Sequence, residues 1–203
     1  SSNVTMLAGE ADNFVNGIVV DHLVNLKCDG FTINANNLGR IFNVTSTADK
    51  LNIYNANLIN GNADIGGAIY NTGSVYAYNT NFINNTADNG AAYRLGDDNN
   101  GVSSASVDSC TFINNTASNQ GGAVYEGGKT GKATLDIKNS IFTNNSAKKG
   151  SAIYSGYTLN IDDDTTFTNN MVYMYYTGTL NIGEIKTFTD LQNAINMVEG
   201  DIH

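Results

Sequence analysis

Five stretches of this chain can be laid over one another: LINGNADIGGAIY from Leu58, FINNTADNGAAY from Phe82, FINNTASNQGGAVY from Phe112, FTNNSAKKGSAIY from Phe142 and FTNNMVYMYY from Phe167. Successive anchors lie 24, 30, 30 and 25 residues apart. A self-similar period of that length marks one supersecondary unit stacked on itself, each copy burying its apolar face only against its neighbours. The chain is therefore restricted to a solenoid before any single residue is interpreted.

Each anchor is preceded by a short alternating strand, LNIYN from Leu51, VYAYN from Val75, ASVDS from Ala105 and LDIKN from Leu135. Leu51 and Ile53, Val75 and Ala77, Ala105 and Val107, and Leu135 and Ile137 fill two columns, which a period of two puts on one face. In LNIDDDTTF, Leu159 and Ile161 fall one residue out of step, which calls for a bulge or a longer bend. A third strand follows the glycines. Its inward aliphatic column is Ile69, Ala92, Val124 and Ile153, with the preceding Ala and the following Tyr assigned to the opposite face. Three short strands per coil leave no room for crossover helices, and equivalent positions stack about 4.8 Å apart. The expected fold is all-β: a right-handed, single-stranded parallel β-helix of about seven coils, its hand set by the preference of parallel crossovers.

Two columns give this solenoid its texture. The anchors Phe82, Phe112, Phe142 and Phe167 recur once per coil and are expected to form an internal ladder. Asn84 with Asn85, Asn114 with Asn115, Asn144 with Asn145 and Asn169 with Asn170 follow them. One member of each pair suits a left-handed bend, and the other suits an amide ladder between coils. Which does which is open from the sequence. The first coil has Asn60 but Gly61, so it keeps the bend and loses one rung.

With 203 residues there is enough chain for one domain with a substantial core. Charged residues are 14% of the chain, against about a quarter in ordinary globular domains, and proline is absent. The net charge of −9 repels phosphate backbones and anionic lipid, so nucleic-acid and membrane-surface binding are not expected. The N-terminus lacks a basic, apolar signal pattern, so a secreted parent is expected to have lost its signal. Cys28 and Cys110 belong to distant coils and are read as buried free thiols.

Residues 1 to 180 read as the β-helix module, and residues 181 to 203 as a separate C-terminal segment. Within the latter, DLQNAINMV suits a short amphipathic helix with Thr189 as N-cap and Leu191, Ala194, Ile195 and Val198 on one side. It is either a capping helix or the start of a following module.

The GGAI of Gly66 to Ile69, its variants GGAV and GSAI, and the Phe-x-x-Asn of the four Phe anchors resemble the repeats of chlamydial polymorphic outer-membrane proteins. The Asn-rich, Pro-free texture resembles the large adhesin-like surface proteins of methanogenic archaea. CDGFTINANNLGRIFNV, from Cys28 to Val44, looks like the opening coils of such modules, and FTDLQNAINMVEGD, from Phe188 to Asp201, like the start of another. The resemblance implies a pectin-lyase-like solenoid, exposed outside the cell at its surface, that attaches to a protein or glycan of another cell. It also implies a monomeric module of a longer chain, without a cofactor.

Three classes of function then compete: a non-enzymatic adhesin module, a polysaccharide-active lyase or hydrolase, and a passive spacer. The enzyme would need clustered carboxylates with a base, or a carboxylate pair. Arg94 with Asp97 and Asp98, and the run Asp162, Asp163 and Asp164, are the candidates, weighed against solvated acids on turns. Asp97 and Asp98 also suit a structural Ca²⁺. His22 and His203 make no catalytic set, and no catalytic residue is assigned. Sequons at Asn3, Asn43, Asn84, Asn114 and Asn144 are largely a by-product of the repeat. For binding, Tyr70, Tyr93, Tyr125 and Tyr154 are placed outward by alternation, with Tyr54, Tyr76 and Tyr78 on the next strand. An outward aromatic column either receives sugar rings or a protein partner, or only shields the backbone by cross-rung stacking.

Overall fold

The structure, a computed structural model, describes residues 2–45, 50–96, 102–127, 132–170, 174–183 and 198–199. Among the described residues three long parallel sheets run along the molecule and enclose a single core, with a two-stranded parallel sheet of Thr86–Asn89 and Thr116–Gln120 beside them. The first has seven strands, Val4–Thr5, Thr32–Asn34, Asn57–Ile59, Asn81–Ile83, Thr111–Ile113, Ile141–Thr143 and Thr166–Thr168. The second has eight, Ile18–Val20, Phe42–Val44, Ile69–Asn71, Tyr93–Leu95, Val124–Glu126, Ile153–Ser155, Met174–Tyr176 and Val198–Glu199. The third has seven, Val24–Lys27, Lys50–Tyr54, Ser74–Tyr78, Val102–Asp108, Lys132–Lys138, Thr158–Ile161 and Thr179–Ile182. The chain visits the sheets in turn, once per coil, as a parallel β-helix must. Among the described residues one short α-helix, Ala11–Phe14, lies in the first coil.

Repeat residues become stacked columns because every coil closes in register. Phe82 pairs with Phe112, and Phe112 with Phe142, each with its ring inside the sheet. Their centroids lie 4.6 Å apart with planes 2° and 3° from parallel, the rung spacing of the backbone itself. Phe167 continues the stack at 5.0 Å from Phe142. The third sheet aligns Leu51, Val75, Ala105, Leu135 and Leu159 in one buried column and Ile53, Ala77, Val107, Ile137 and Ile161 in another. Leu159 and Ile161 are thus in step with Leu135 and Ile137. The extra residue of that coil is taken up in the following bend, not in a bulge.

The Asn pairs divide their work cleanly. Asn60, Asn84, Asn114, Asn144 and Asn169 hold φ of 54° to 55°, the left-handed bend leaving the first sheet. Asn85, Asn115, Asn145 and Asn170 are buried and form the ladder. Each amide also donates to a carbonyl of the preceding coil, Asn115 to Phe82 O at 3.0 Å and Asn145 to Phe112 O at 3.0 Å. At the first coil Gly61 carries no amide, and its backbone N–H donates to Asn85 Oδ1 at 2.8 Å.

Two sequence expectations need correction here. Ala68, Ala91, Ala123 and Ala152 are buried, not outward, because they precede the strand and sit in the corner that turns into it. The inward column is Ile69, Tyr93, Val124 and Ile153, so Tyr93 stands where Ala92 was expected. In the C-terminal segment, Val198 lies in a strand paired with Met174, whereas the rest of the expected helix lies outside the described residues.

Candidate functional site: the outward tyrosines

The outward column of the second sheet reads Asn43, Tyr70, Arg94, Tyr125, Tyr154 and Tyr175. Tyr93, assigned to this face from the sequence, is 1% exposed and turned into the core, where Asn71 Nδ2 donates to its hydroxyl at 2.7 Å. Burial pushes that phenol well above its usual range. Arg94 takes the vacated outward place. Its guanidinium lies 5.3 Å from the Tyr70 ring centroid and 5.4 Å from that of Tyr125, and donates to Gly96 O. Arg40 approaches Tyr70 from the preceding rung at 5.2 Å. Its own donors are spent on the carbonyls of Asn16, Ile65 and Gly66.

Beyond Arg94 the rings stack directly, Tyr125 on Tyr154 at 5.0 Å and Tyr154 on Tyr175 at 5.1 Å, both 16° from parallel. Tyr70, Tyr125 and Tyr154 are therefore flanked on the rung before and on the rung after. Their π-faces meet cations or other rings, and they present edges and hydroxyls outward. The column thus packs cation on ring at Tyr70 and ring on ring from Tyr125 to Tyr175.

The tyrosines of the third sheet are arranged differently. Register places Asn25, Asn52, Tyr76 and Ser106 in one outward column and Lys27, Tyr54, Tyr78 and Asp108 in the next. Tyr54 and Tyr76 meet edge to face at 5.9 Å and 65°. Tyr78 is 41% exposed. Asn52 Nδ2 donates to Asn25 Oδ1 at 2.8 Å, which fixes an amide pair beside the rings. Desolvation, and secondarily the Asp108 carboxylate, raise the Tyr76 phenol. The two tyrosine groups thus occupy different sheets, one closed into a ladder and one spread as a patch.

Asp97 and Asp98 lie outside the described residues. Asp162 turns both oxygens to the Asn139 N–H, at 3.1 and 3.0 Å, and accepts from Thr165 Oγ1 at 2.7 Å, so it caps a bend. Asp163 and Asp164 are exposed. His22 bonds its neighbour Asp21 at the surface, and the contact holds that carboxyl below its usual range. Cys28 and Cys110 are free and buried, with burial pushing the Cys110 thiol up to about 12. Among the described residues no three His, Cys, Asp or Glu gather as a metal site, and no helix is long and apolar enough to cross a membrane.

Glu126 is a buried acid that sequence reasoning passed over. It is fully buried in the inward column that also holds Leu95 and Ser155. Ser155 donates to its Oε2, as does the Tyr157 N–H at 3.4 Å, whereas Oε1 has no hydrogen-bond partner among the described residues. Desolvation pushes its carboxyl up to about 7. Its position two residues after the inward Val124 was the available signal.

Residues 109–125 and 139–156 match the model of the Chlamydia polymorphic membrane protein repeat. These are consecutive coils, holding the GGAV and GSAI variants and their bends. No curated protein matches the chain, and no solved structure matches it. The chain is a parallel β-helix repeat protein with Asn ladders, two of whose coils match the Chlamydia polymorphic membrane protein repeat.

Proposed function

We propose that this chain is a non-enzymatic, cell-surface adhesin module that attaches to a protein or glycan of another cell. The match of two consecutive coils to a chlamydial membrane-protein repeat carries the proposal. The architecture supports it: the interior is committed to packing and ladders, leaving uncharged polar side chains and tyrosines to face a partner. The Asn-rich, Pro-free texture is that of adhesin-like proteins of methanogenic archaea, which we take as the source. Asp162 is committed to a backbone bend, which weighs against a polysaccharide-cleaving site there. The test is binding of the purified, labelled chain to panels of whole cells and to arrayed surface glycans. Saturable binding to at least one cell type supports the adhesin. Its absence across the panel assigns the module to spacing.

A further inference from the structure

We propose that the outer face of the third sheet around Tyr54, Tyr76 and Tyr78 is a platform for a neutral, hydroxyl-rich glycan; this deepens the adhesin assignment above and rests on it. Three observations single out this face. First, the tyrosines of the second sheet are enclosed by their neighbours, whereas Tyr78 is 41% exposed and paired by register with Tyr54 on one side and Asp108 on the other. A pyranose presents a face of C–H bonds, and an open aromatic ring is the surface such a face packs on.

Second, polar groups border the rings on both sides along the solenoid. Asn52 lies one rung from Tyr76 and is bonded to Asn25 on the rung beyond, and Ser106 and Asp108 follow on the other side. Rungs about 4.8 Å apart and columns two residues apart bring these groups within reach of hydroxyls on a sugar lying across the tyrosines. The strands are held in register on both sides, so the platform exists before the ligand arrives, which limits the entropy lost on binding.

Third, charge selects among sugars. Asp108 borders the patch, its carboxylate already felt by the Tyr76 phenol, and the whole chain carries −9. A uronate or sulfate lying over Tyr76 and Tyr78 meets the repulsion of this carboxylate as its nearest charge in the column. The same outward column carries Lys27 beyond Tyr54 and Lys138 beyond Asp108, so the cations lie at its ends and Asp108 stands between Lys138 and the rings. Amides and a carboxylate accept and donate to neutral hydroxyls without that repulsion. The ligand is therefore a neutral oligosaccharide.

The experiment titrates the whole chain with neutral hexasaccharides of glucose, mannose, galactose and N-acetylglucosamine, and with matched uronic-acid oligomers, by calorimetry. Y76S, Y78S and Y154S are measured beside it, each checked for an unchanged far-ultraviolet spectrum. The expected result is affinity for at least one neutral sugar that falls about tenfold or more in Y76S and Y78S and holds in Y154S. Loss of folding in Y76S leaves Y78S as the deciding variant, since its ring is the exposed one. Binding of uronic oligomers alone, equal binding by Y78S, or no neutral sugar bound overturns the proposal. Whole-cell binding separates the two levels. Cells bound but not competed by any neutral sugar overturn this ligand class and leave the adhesin standing, whereas no cells bound removes both.

Discussion

Asn115 holds Asn85 twice through a single atom: its Oδ1 accepts the backbone N–H of Asn85 at 3.0 Å and the side-chain amide at 2.9 Å. In the same way Asn145 Oδ1 holds Asn115 and Asn170 Oδ1 holds Asn145. Removing the Asn115 side chain takes from Asn85 the acceptor of its buried backbone N–H and one partner of its amide, and takes from Phe82 O a donor, whereas Asn145 Oδ1 keeps the Asn115 N–H. Asn115→Ala should therefore cost about 3 kcal/mol or more, since each buried polar group left alone costs about 1–3 kcal/mol. Its neighbour supplies the control. Asn114 holds φ of 54° and is exposed, so Asn114→Gly keeps the bend and should change stability by less than about 0.5 kcal/mol. Urea midpoints of the two variants check the division of labour, and equal losses would refute it.

The phenylalanine ladder is tested at its centre. Phe112 is stacked from both sides and is 0% exposed. Phe112→Ala leaves a cavity that a β-helix, tied by hydrogen bonds on every rung, has little freedom to collapse. The expected loss is about 3–5 kcal/mol. A change below about 1 kcal/mol in urea melts would mean that stacking adds nothing to the fold.

Glu126 makes stability depend on pH around neutrality. Its folded-state pKa is raised from 4.5 to about 7, so between those values the folded chain keeps a proton that the unfolded chain has released. Below the unfolded value both states are protonated and burial of the acid carries no charge penalty. Stability falls as pH rises through the window, and above about pH 7 the full penalty is present, about 3 kcal/mol from the size of the shift. Glu126→Gln should flatten this part of the profile and leave it unchanged elsewhere. Thermal melts of both proteins from pH 4 to pH 9, compared by difference, provide the measurement; parallel curves would exclude Glu126 as the source.

Much of this arrangement was legible in the repeat, and the misses have physical causes. Period, strand order and bend positions follow from the spacing of Phe, Asn and Gly. Which Asn turns inward does not, because both members are the same residue and only the backbone conformation separates them. Tyr93 was misplaced by aligning the tyrosines. Counting three residues from the left-handed glycines, Gly66, Gly90, Gly121 and Gly150, puts Ile69, Tyr93, Val124 and Ile153 in one column, as the structure does. Glu126 and Arg94 were hidden by the usual assignment of charge to solvent, although both are under 5% exposed. Alternation also says nothing of ring orientation, so the enclosed faces of Tyr125 and Tyr154 could not be read from spacing. The inward position of Tyr93 has its own consequence. Tyr93→Ser should cost about 3–5 kcal/mol, as for other large buried aromatics, against about 1 kcal/mol for Tyr154→Ser, which loses only cross-rung stacking.

Arg94 interrupts the tyrosine column, and its replacement shows what the column needs. The side chain is 4% exposed and bridges the rings of Tyr70 and Tyr125, so it acts as a flat cationic spacer between two aromatic rungs. Arg94→Ala removes both cation–π contacts, the bond to Gly96 O and the packing of the alkyl stem. We expect a loss of about 2 kcal/mol, since desolvated cation–π contacts and buried stems each contribute. Arg94→Lys should recover little, because an ammonium lacks the plane that lies against two ring faces. Arg94→Tyr should recover about half or more, because a ring at this position joins Tyr70 to Tyr125 as Tyr154 joins Tyr125 to Tyr175. The order Tyr above Lys and Ala in urea stability would establish a stacked column indifferent to the chemistry of its planar members. The order Lys above Tyr would show instead that positive charge, and not planarity, is what this rung requires.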